Sequence, residues 1–206
     1  MPEQAPTDGK GPRWVGDSLP SLPPDLEYAQ KLPPRVTDRY VLFFGYEDPE
    51  LGCLQQWYPS PFVEKDAQSG DERHFHTSEQ YMMFHKALLM GDTEIAEQTL
   101  ACATPGEAKA LGRKVRNFDQ KMWDENCDRV VEQGNYLKFS QDERLRQALL
   151  GTEEREIVET SPNDRLWGVG FNSEDALEHV AEWGENKLGK ALMRVRERLK
   201  QPLKLN

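Results

Sequence analysis

Thr77-Ser78-Glu79-Gln80-Tyr81-Met82-Met83-Phe84-His85-Lys86 is the stretch on which the reading of this chain turns. Thr77 is a good N-cap residue, and Gln80 three positions on completes a capping box, so a helix starts here. Tyr81, Met82, Met83 and Phe84 are apolar or aromatic, so the helix is largely buried. Glu79 falls at its second position, where free backbone N–H groups and the positive end of the helix dipole favour a charged carboxylate. A carboxylate held ionised beside apolar surface suits a general base, or a group that stabilises a developing cation. The same placement also suits an acid that merely caps its helix, and the stretch alone leaves both readings open.

Working outward, the chain alternates a few short strands with many helices. Arg39-Tyr40-Val41-Leu42-Phe43-Phe44 is a compact β-branched and aromatic run that reads as a buried strand, closed by Gly45. Pro59 and Pro61 enforce an extended path toward Phe62-Val63. Ala67-Gln68-Ser69-Gly70-Asp71 reads as a hairpin turn that returns through Arg73-His74-Phe75-His76 into the Glu79 helix. Downstream, Ile95 to Leu100 and Pro105 to Leu111 read as short helices, the second opened by Thr104 as N-cap with Pro105 at the first position. Asp119 to Lys138 carries Trp123, Cys127, Val130, Val131, Gly134 and Leu137 at helical spacing, which buries one face. Gln141 to Leu150 is a further amphipathic helix, Glu156-Ile157-Val158-Glu159 a short strand, and Asn186 to Leu199 the last helix. The class is α+β: a mainly helical single domain with a small β-sheet and hairpin near its start.

Composition bounds the rest. Eight of the fourteen prolines fall before residue 35, among few large apolar side chains. Residues 1–37 therefore read as a proline-rich, disordered or loosely docked extension, and 38–203 as the folded domain. A formal charge of -10 argues against a broad electrostatic grip on nucleic acid or an anionic membrane, though not against a local basic pocket. No apolar run is long enough to span a bilayer, and the first residues lack the pattern of a signal peptide. Cys53, Cys102 and Cys127 are odd in number and widely spaced, which suits reduced thiols in an intracellular, cytoplasmic protein.

Three segments carry more chemistry than scaffold requires. Ser161-Pro162-Asn163-Asp164-Arg165-Leu166-Trp167-Gly168-Val169-Gly170-Phe171 holds a carboxylate next to an indole on a loop, which reads equally as a ligand wall or as an Asx turn with Trp167 in the core. In Trp183-Gly184-Glu185-Asn186-Lys187-Leu188-Gly189-Lys190, Asn186 is placed either as a plain N-cap or as the start of a helix whose free amides receive an anion. Trp123 is at a core position of its helix, where a Trp is more often core than ligand platform. His74 and His76 share a strand face, but without a third ligand a strand surface is favoured over a metal site. There is no P-loop, dinucleotide fingerprint or nucleophile elbow.

Taken in order, Phe43-Phe44-Gly45, Gln56-Trp57-Tyr58-Pro59-Ser60-Pro61-Phe62, Thr77-Ser78-Glu79-Gln80-Tyr81, Lys86-Ala87, Trp123, Lys138-Phe139, Asn163-Asp164-Trp167-Gly168 and Trp183-Gly184-Glu185-Asn186-Lys187-Leu188-Gly189 resemble the NADAR (YbiA-like) family of N-glycosidases, over about residues 40 to 200. The resemblance implies that family's compact α+β fold and hydrolysis of a C–N bond between a ribose and a base or amine. It implies a small nucleotide-type substrate, either an early riboflavin-pathway intermediate or an ADP-ribosylated guanine or other nucleobase, the latter with nucleic acid as a possible part of it. Glu79, Trp123 and Asp164 match the family's catalytic positions. Lys86, Asn163, Trp167, Gly168 and Asn186 match positions that bind substrate. No metal and no redox cofactor is implied, and no membrane. The alternative is a catalytically silent nucleotide or ADP-ribose binding module, against which the three catalytic matches count. A scaffold working through its proline-rich extension is a second alternative.

Overall fold

Tyr40-Val41-Leu42-Phe43 is buried along its whole length, as expected for a strand covered on both faces. In the computed structural model, which describes residues 24–66 and 69–201, it is the middle strand of the larger of two sheets. The elements run α1 (Pro24–Lys31), β1 (Arg35–Val36), β2 (Tyr40–Phe43), β3 (Phe62–Lys65), β4 (Glu72–Phe75), α2 (Ser78–Leu89), α3 (Thr93–Ala101), α4 (Pro105–Gly112), α5 (Gln120–Gln141), α6 (Glu143–Leu150), β5 (Glu156–Glu159) and α7 (Lys187–Lys200). Single 3₁₀ segments cover Gly52–Leu54 and Ala176–Glu182. The fold is α+β and dominated by helices. None of the described helices is long and apolar enough to cross a membrane.

β1 pairs antiparallel with β2, and β2 pairs parallel with β5 in the register Tyr40 to Glu156 through Phe43 to Glu159. Parallel neighbours need a crossover, and here the crossover contains the hairpin and five helices. The hairpin β3–β4 is antiparallel, with Phe62 opposite Phe75. Part of its expected turn, residues 67 and 68, lies outside the described residues.

α2 is the hub. Its residues Ser78 to Phe84 and Ala87 are buried, and it packs against α3, α4 and α5. The Thr77 hydroxyl accepts from the Gln80 amide at 3.1 Å, as the cap predicts. The Gln80 side chain reaches one residue further back than a capping box requires. Its Oε1 accepts from the His76 amide at 2.8 Å while its Nε2 donates to the Thr99 and Leu100 carbonyls at 3.0 and 3.1 Å. One buried amide thus fixes the start of α2 against the end of α3.

Order begins earlier than composition implies. Residues 1–23 lie outside the described residues, but 24–36, assigned on composition to the extension, form α1 and β1. Local contacts explain this. Ala29 is buried, the Tyr28 hydroxyl donates to Glu174 at 2.9 Å, and Arg35 donates to the Glu174 carbonyl at 3.3 Å.

The last helix lies directly on the sheet backbone. Leu188, Ala191, Leu192, Val195 and Leu199 of α7 are buried, and a Cβ added at Gly189 would sit 2.0 Å from the Ile157 carbonyl oxygen. Such a contact is far inside van der Waals distance, so helix and strand would have to separate. Gly189→Ala is expected to cost roughly 1–3 kcal/mol as an overpacking change. At about 2–4 °C per kcal/mol for a chain of this size, the loss is readable by thermal unfolding; an unchanged Tm would contradict this packing.

Candidate active site

Between α1, α2, α4, the start of α5 and the end of β5 lies a cleft of about 370 Å³, within the usual range for small-molecule sites. Three indoles line it (Trp57, Trp123 and Trp167), with three carboxyl groups (Glu79, Glu159 and Asp164) and three cations (Lys86, Lys109 and Arg113). Of the residues singled out in the sequence, Glu79, Lys86, Trp123, Asp164 and Trp167 meet in this cleft.

Glu79 is fixed from both directions. Its backbone N–H donates to the Gln56 carbonyl at 3.0 Å, and its carboxyl group is hydrogen-bonded by the Trp57 side chain. Its acidity differs from the sequence reading. A free helix terminus was expected to keep Glu79 ionised, yet its acid strength is reduced and its pKa lies above the ordinary value. Burial is the main cause. It outweighs the opposing pull of Lys109, the Trp57 hydrogen bond and Lys86, and the charge of Asp164 adds to it. The helix end supplies little compensation, because the Glu79 and Gln80 amides are already bonded to Gln56 and Thr77.

The Asp164 loop satisfies both of its sequence readings at once. Asp164 Oδ1 accepts from the Leu166 and Trp167 amides at 2.9 and 2.8 Å, which is an Asx turn, and the turn places Asp164 and Trp167 on the cleft wall. Trp123 also has both roles, packed in the main core and lining the cleft. Lys86, two turns along α2 from Glu79, donates to the Gly112 carbonyl at 2.9 Å and stands over the Phe118 ring at 4.4 Å. Burial lowers its pKa, against the charge of Glu79.

Asn163, Gly168 and Asn186 do not line the cleft. Asn163 is exposed. Gly168 is a point of close approach, since a Cβ there would lie 2.8 Å from the Glu159 carbonyl. Asn186 is buried in the left-handed region at φ 50°, and its side chain caps nothing. Instead its Oδ1 accepts from the Glu159 amide at 3.1 Å and its Nδ2 donates to the Ile157 carbonyl at 2.9 Å. The anion seat considered at the start of α7 is also occupied. The Lys187 and Leu188 amides donate to the Leu166 and Trp167 carbonyls, both at 3.1 Å. The start of α7, rather than receiving a ligand, joins α7, β5 and the Asp164 loop.

The sequence reading missed Glu159, Trp57, Lys109, Arg113 and Gln55. Glu159 was legible in principle, because strand side chains two apart share a face and Ile157 is a core residue. Lys109 and Arg113 lie four residues apart, one helical turn on one face. Glu159 is 7% exposed, and its Oε1 accepts from Gln55 Nε2 at 3.2 Å. Gln55 is held in turn by Lys138 on α5, whose buried ammonium donates to the Gln55 carbonyl at 2.9 Å. Burial lowers the pKa of Lys138 to about 8.

An apolar, indole-lined cleft that gathers three carboxyl groups and three cations has the make-up of a small-molecule enzyme site. The chain belongs to the NADAR family, whose domain model matches residues 42–200. It is 42% identical over 171 residues to the N-glycosidase R617 of Acanthamoeba polyphaga mimivirus, covering 80% of this chain and 99% of that one. It is 38% identical over 176 residues to the protein irg-1 of Caenorhabditis elegans, covering 79% and 81%. The NMR structure of Escherichia coli YbiA superposes with a TM-score of 0.63 at 27% identity, covering 84% of this chain and 91% of that one.

The cleft extends beyond the residues that the family model matches, because Leu26 and Gln30 of α1 line it. The α1 contact is close: a Cβ at Gly45 would lie 2.7 Å from the Gln30 carbonyl. A Leu26→Ala/Gln30→Ala double variant is expected to raise KM several-fold with kcat nearly unchanged, since neither side chain carries a proton-transferring group. A KM equal to that of the parent would show that α1 plays no part in binding.

Proposed function

We propose that this chain, an N-glycosidase by family, hydrolyses the C–N bond between C1′ of a phosphorylated ribose and a base or amine. The substrate is of the phosphoribosyl-amine or ADP-ribosyl-nucleobase type. The observation that carries this reading is that one cleft gathers three carboxyl groups together with Lys86, Lys109 and Arg113. A ribosyl phosphate needs both: acids beside the sugar carbon and cations beside the phosphate.

Breaking an N-ribosyl bond develops positive charge on the sugar, and a fixed carboxylate lowers that barrier electrostatically. Glu79 is suited to take the proton from the attacking water, because its raised pKa brings it nearer to neutral pH. Asp164, its Oδ1 already bonded to two backbone amides, is suited to orient the ribose and stabilise the cationic carbon. Trp57, Trp123 and Trp167 supply flat surfaces for the base, worth on the order of 1–3 kcal/mol per stacked ring. Gly168 and Asn186 act by positioning, through the contacts they make with the strand that ends in Glu159.

Two variants test the division of labour. Glu79→Gln is expected to lower kcat by roughly 10²- to 10⁴-fold, the usual contribution of a positioned acid or base, with KM little changed. Lys109→Ala with Arg113→Ala is expected to raise KM for a phosphorylated riboside and leave KM for its dephosphorylated counterpart alone. Both are read by release of free base and sugar. Full turnover by Glu79→Gln would overturn the assignment of the base, and equal effects on both ribosides would overturn the phosphate assignment.

A further inference from the structure

Glu159 is unlike the other two acids of the cleft. Among the described residues, its Oε2 is one of few buried side-chain oxygens without a hydrogen-bond partner, although the residue lines the cleft. Its Oε1 has one neutral donor, Gln55. Asp164 accepts two backbone amides, and Glu79 has the Trp57 hydrogen bond with Lys109 and Lys86 acting on it. A buried oxygen left unpartnered is costly unless a ligand or a proton completes it.

The position of Glu159 is nevertheless over-determined. Its amide is bonded to Asn186, its carbonyl receives the Val169 amide at 2.9 Å, and Gln55 is braced by Lys138. An acid held this firmly at the wall of a cleft, with one buried oxygen lacking a partner, is built to meet something in the cleft. The groups that face it are Glu79 on α2, Lys109 on α4, Asp164 on the loop after β5, and Gln55 in front of Lys138 on α5. Two of these are acids, so the cleft favours a neutral third carboxyl group.

We propose that Glu159 is protonated in the resting enzyme and donates its Oε2 proton to the departing nitrogen of the substrate. This inference rests on the N-glycosidase reading and adds to it the proton donor that the leaving group needs. As the C1′–N bond breaks, its electron pair stays on nitrogen, which takes the proton from Glu159. Water adds to C1′ and gives its proton to Glu79. The products are the ribose bearing a hydroxyl at C1′ and the base bearing an N–H, and proton transfer from Glu79 or solvent restores Glu159. Burial above all, then the charge of Asp164, raises the Glu159 pKa to about 8, against the Gln55 hydrogen bond and Lys109, with Glu79 raising it further. The acid is therefore protonated at neutral pH and lost as pH rises through about 8.

Glu159→Gln separates this role from a structural one, because glutamine keeps the shape and the neutral state but has no acidic proton. Rates are compared across N-ribosyl 5-phosphates whose leaving amines differ in basicity. The variant should lose most on the most basic leaving group and little on the least basic, so its rate depends more steeply on leaving-group basicity than the parent's. The parent's kcat should fall above about pH 8, and the variant should lack that fall. A parallel loss on every substrate, or no loss on any, would overturn the proposal.

Thermal unfolding gives a reading that needs no substrate. A carboxyl group with a raised folded pKa contributes stability below its unfolded value, lost as pH rises toward its folded value. The Tm of Glu159→Gln should therefore gain on the parent between about pH 4.5 and 8, and a constant difference would contradict a protonated Glu159. If the parent releases no sugar from any riboside, the N-glycosidase reading fails, and the Tm comparison alone decides whether Glu159 holds the proton.

Discussion

Asn186 joins the three parts on which the cleft depends, and its own amide donates to the Gly168 carbonyl of the Asp164 loop at 3.2 Å. It occupies a left-handed backbone position and bonds β5 on both sides of Val158, through the Ile157 carbonyl and the Glu159 amide. The Lys187 and Leu188 amides bond the Asp164 loop. Strand, loop and final helix are thus fixed relative to one another at one residue. Two of the three cleft acids, Glu159 and Asp164, take their places from this junction. Gly168 and Gly189 allow it, since a side chain at either would push the loop or the helix away from the strand. The third acid, Glu79, reaches the same cleft on α2, fixed by Thr77, Gln80 and the Gln56 carbonyl.

Gathering three carboxyl groups in an apolar cleft opposes folding, and the surroundings show how that cost is met. Lys109 and Lys86 lower the cost at Glu79, the backbone amides of the Asx turn at Asp164, and Gln55 with Lys138 behind it at Glu159. Compensation is weakest at Glu159. Perturbed acids of this kind concentrate at catalytic sites, where the strain they store serves proton transfer. The presence of Lys86, Lys109 and Arg113 beside these acids is why we propose a sugar that bears a phosphate, rather than an uncharged riboside, as the substrate.

Much of this was legible in the sequence, and the limits have physical causes. The strands at Tyr40 and Glu156, the Thr77 and Thr104 caps and the faces of α5 and α7 come from local pattern, and the structure places them within a residue or two of the reading. Glu79, Trp123, Asp164 and Trp167, all singled out in the sequence, line one cleft. What could not be read were facts of tertiary packing. Local sequence shows the helix dipole at Glu79 but not the burial that overrides it. It marks Asn186 as a cap but cannot show that its amide turns inward to β5. The start of order at α1 was missed because proline content hid a short helix whose partners, such as Glu174, lie far along the chain.

The central claim is that the cleft breaks a C–N bond at ribose and leaves the phosphate on the sugar. Following one purified N-ribosyl 5-phosphate by proton and phosphorus NMR tests this directly. The account predicts ribose 5-phosphate and free amine appearing one for one, with no inorganic phosphate. Release of inorganic phosphate, or binding of the riboside without either product, would contradict it.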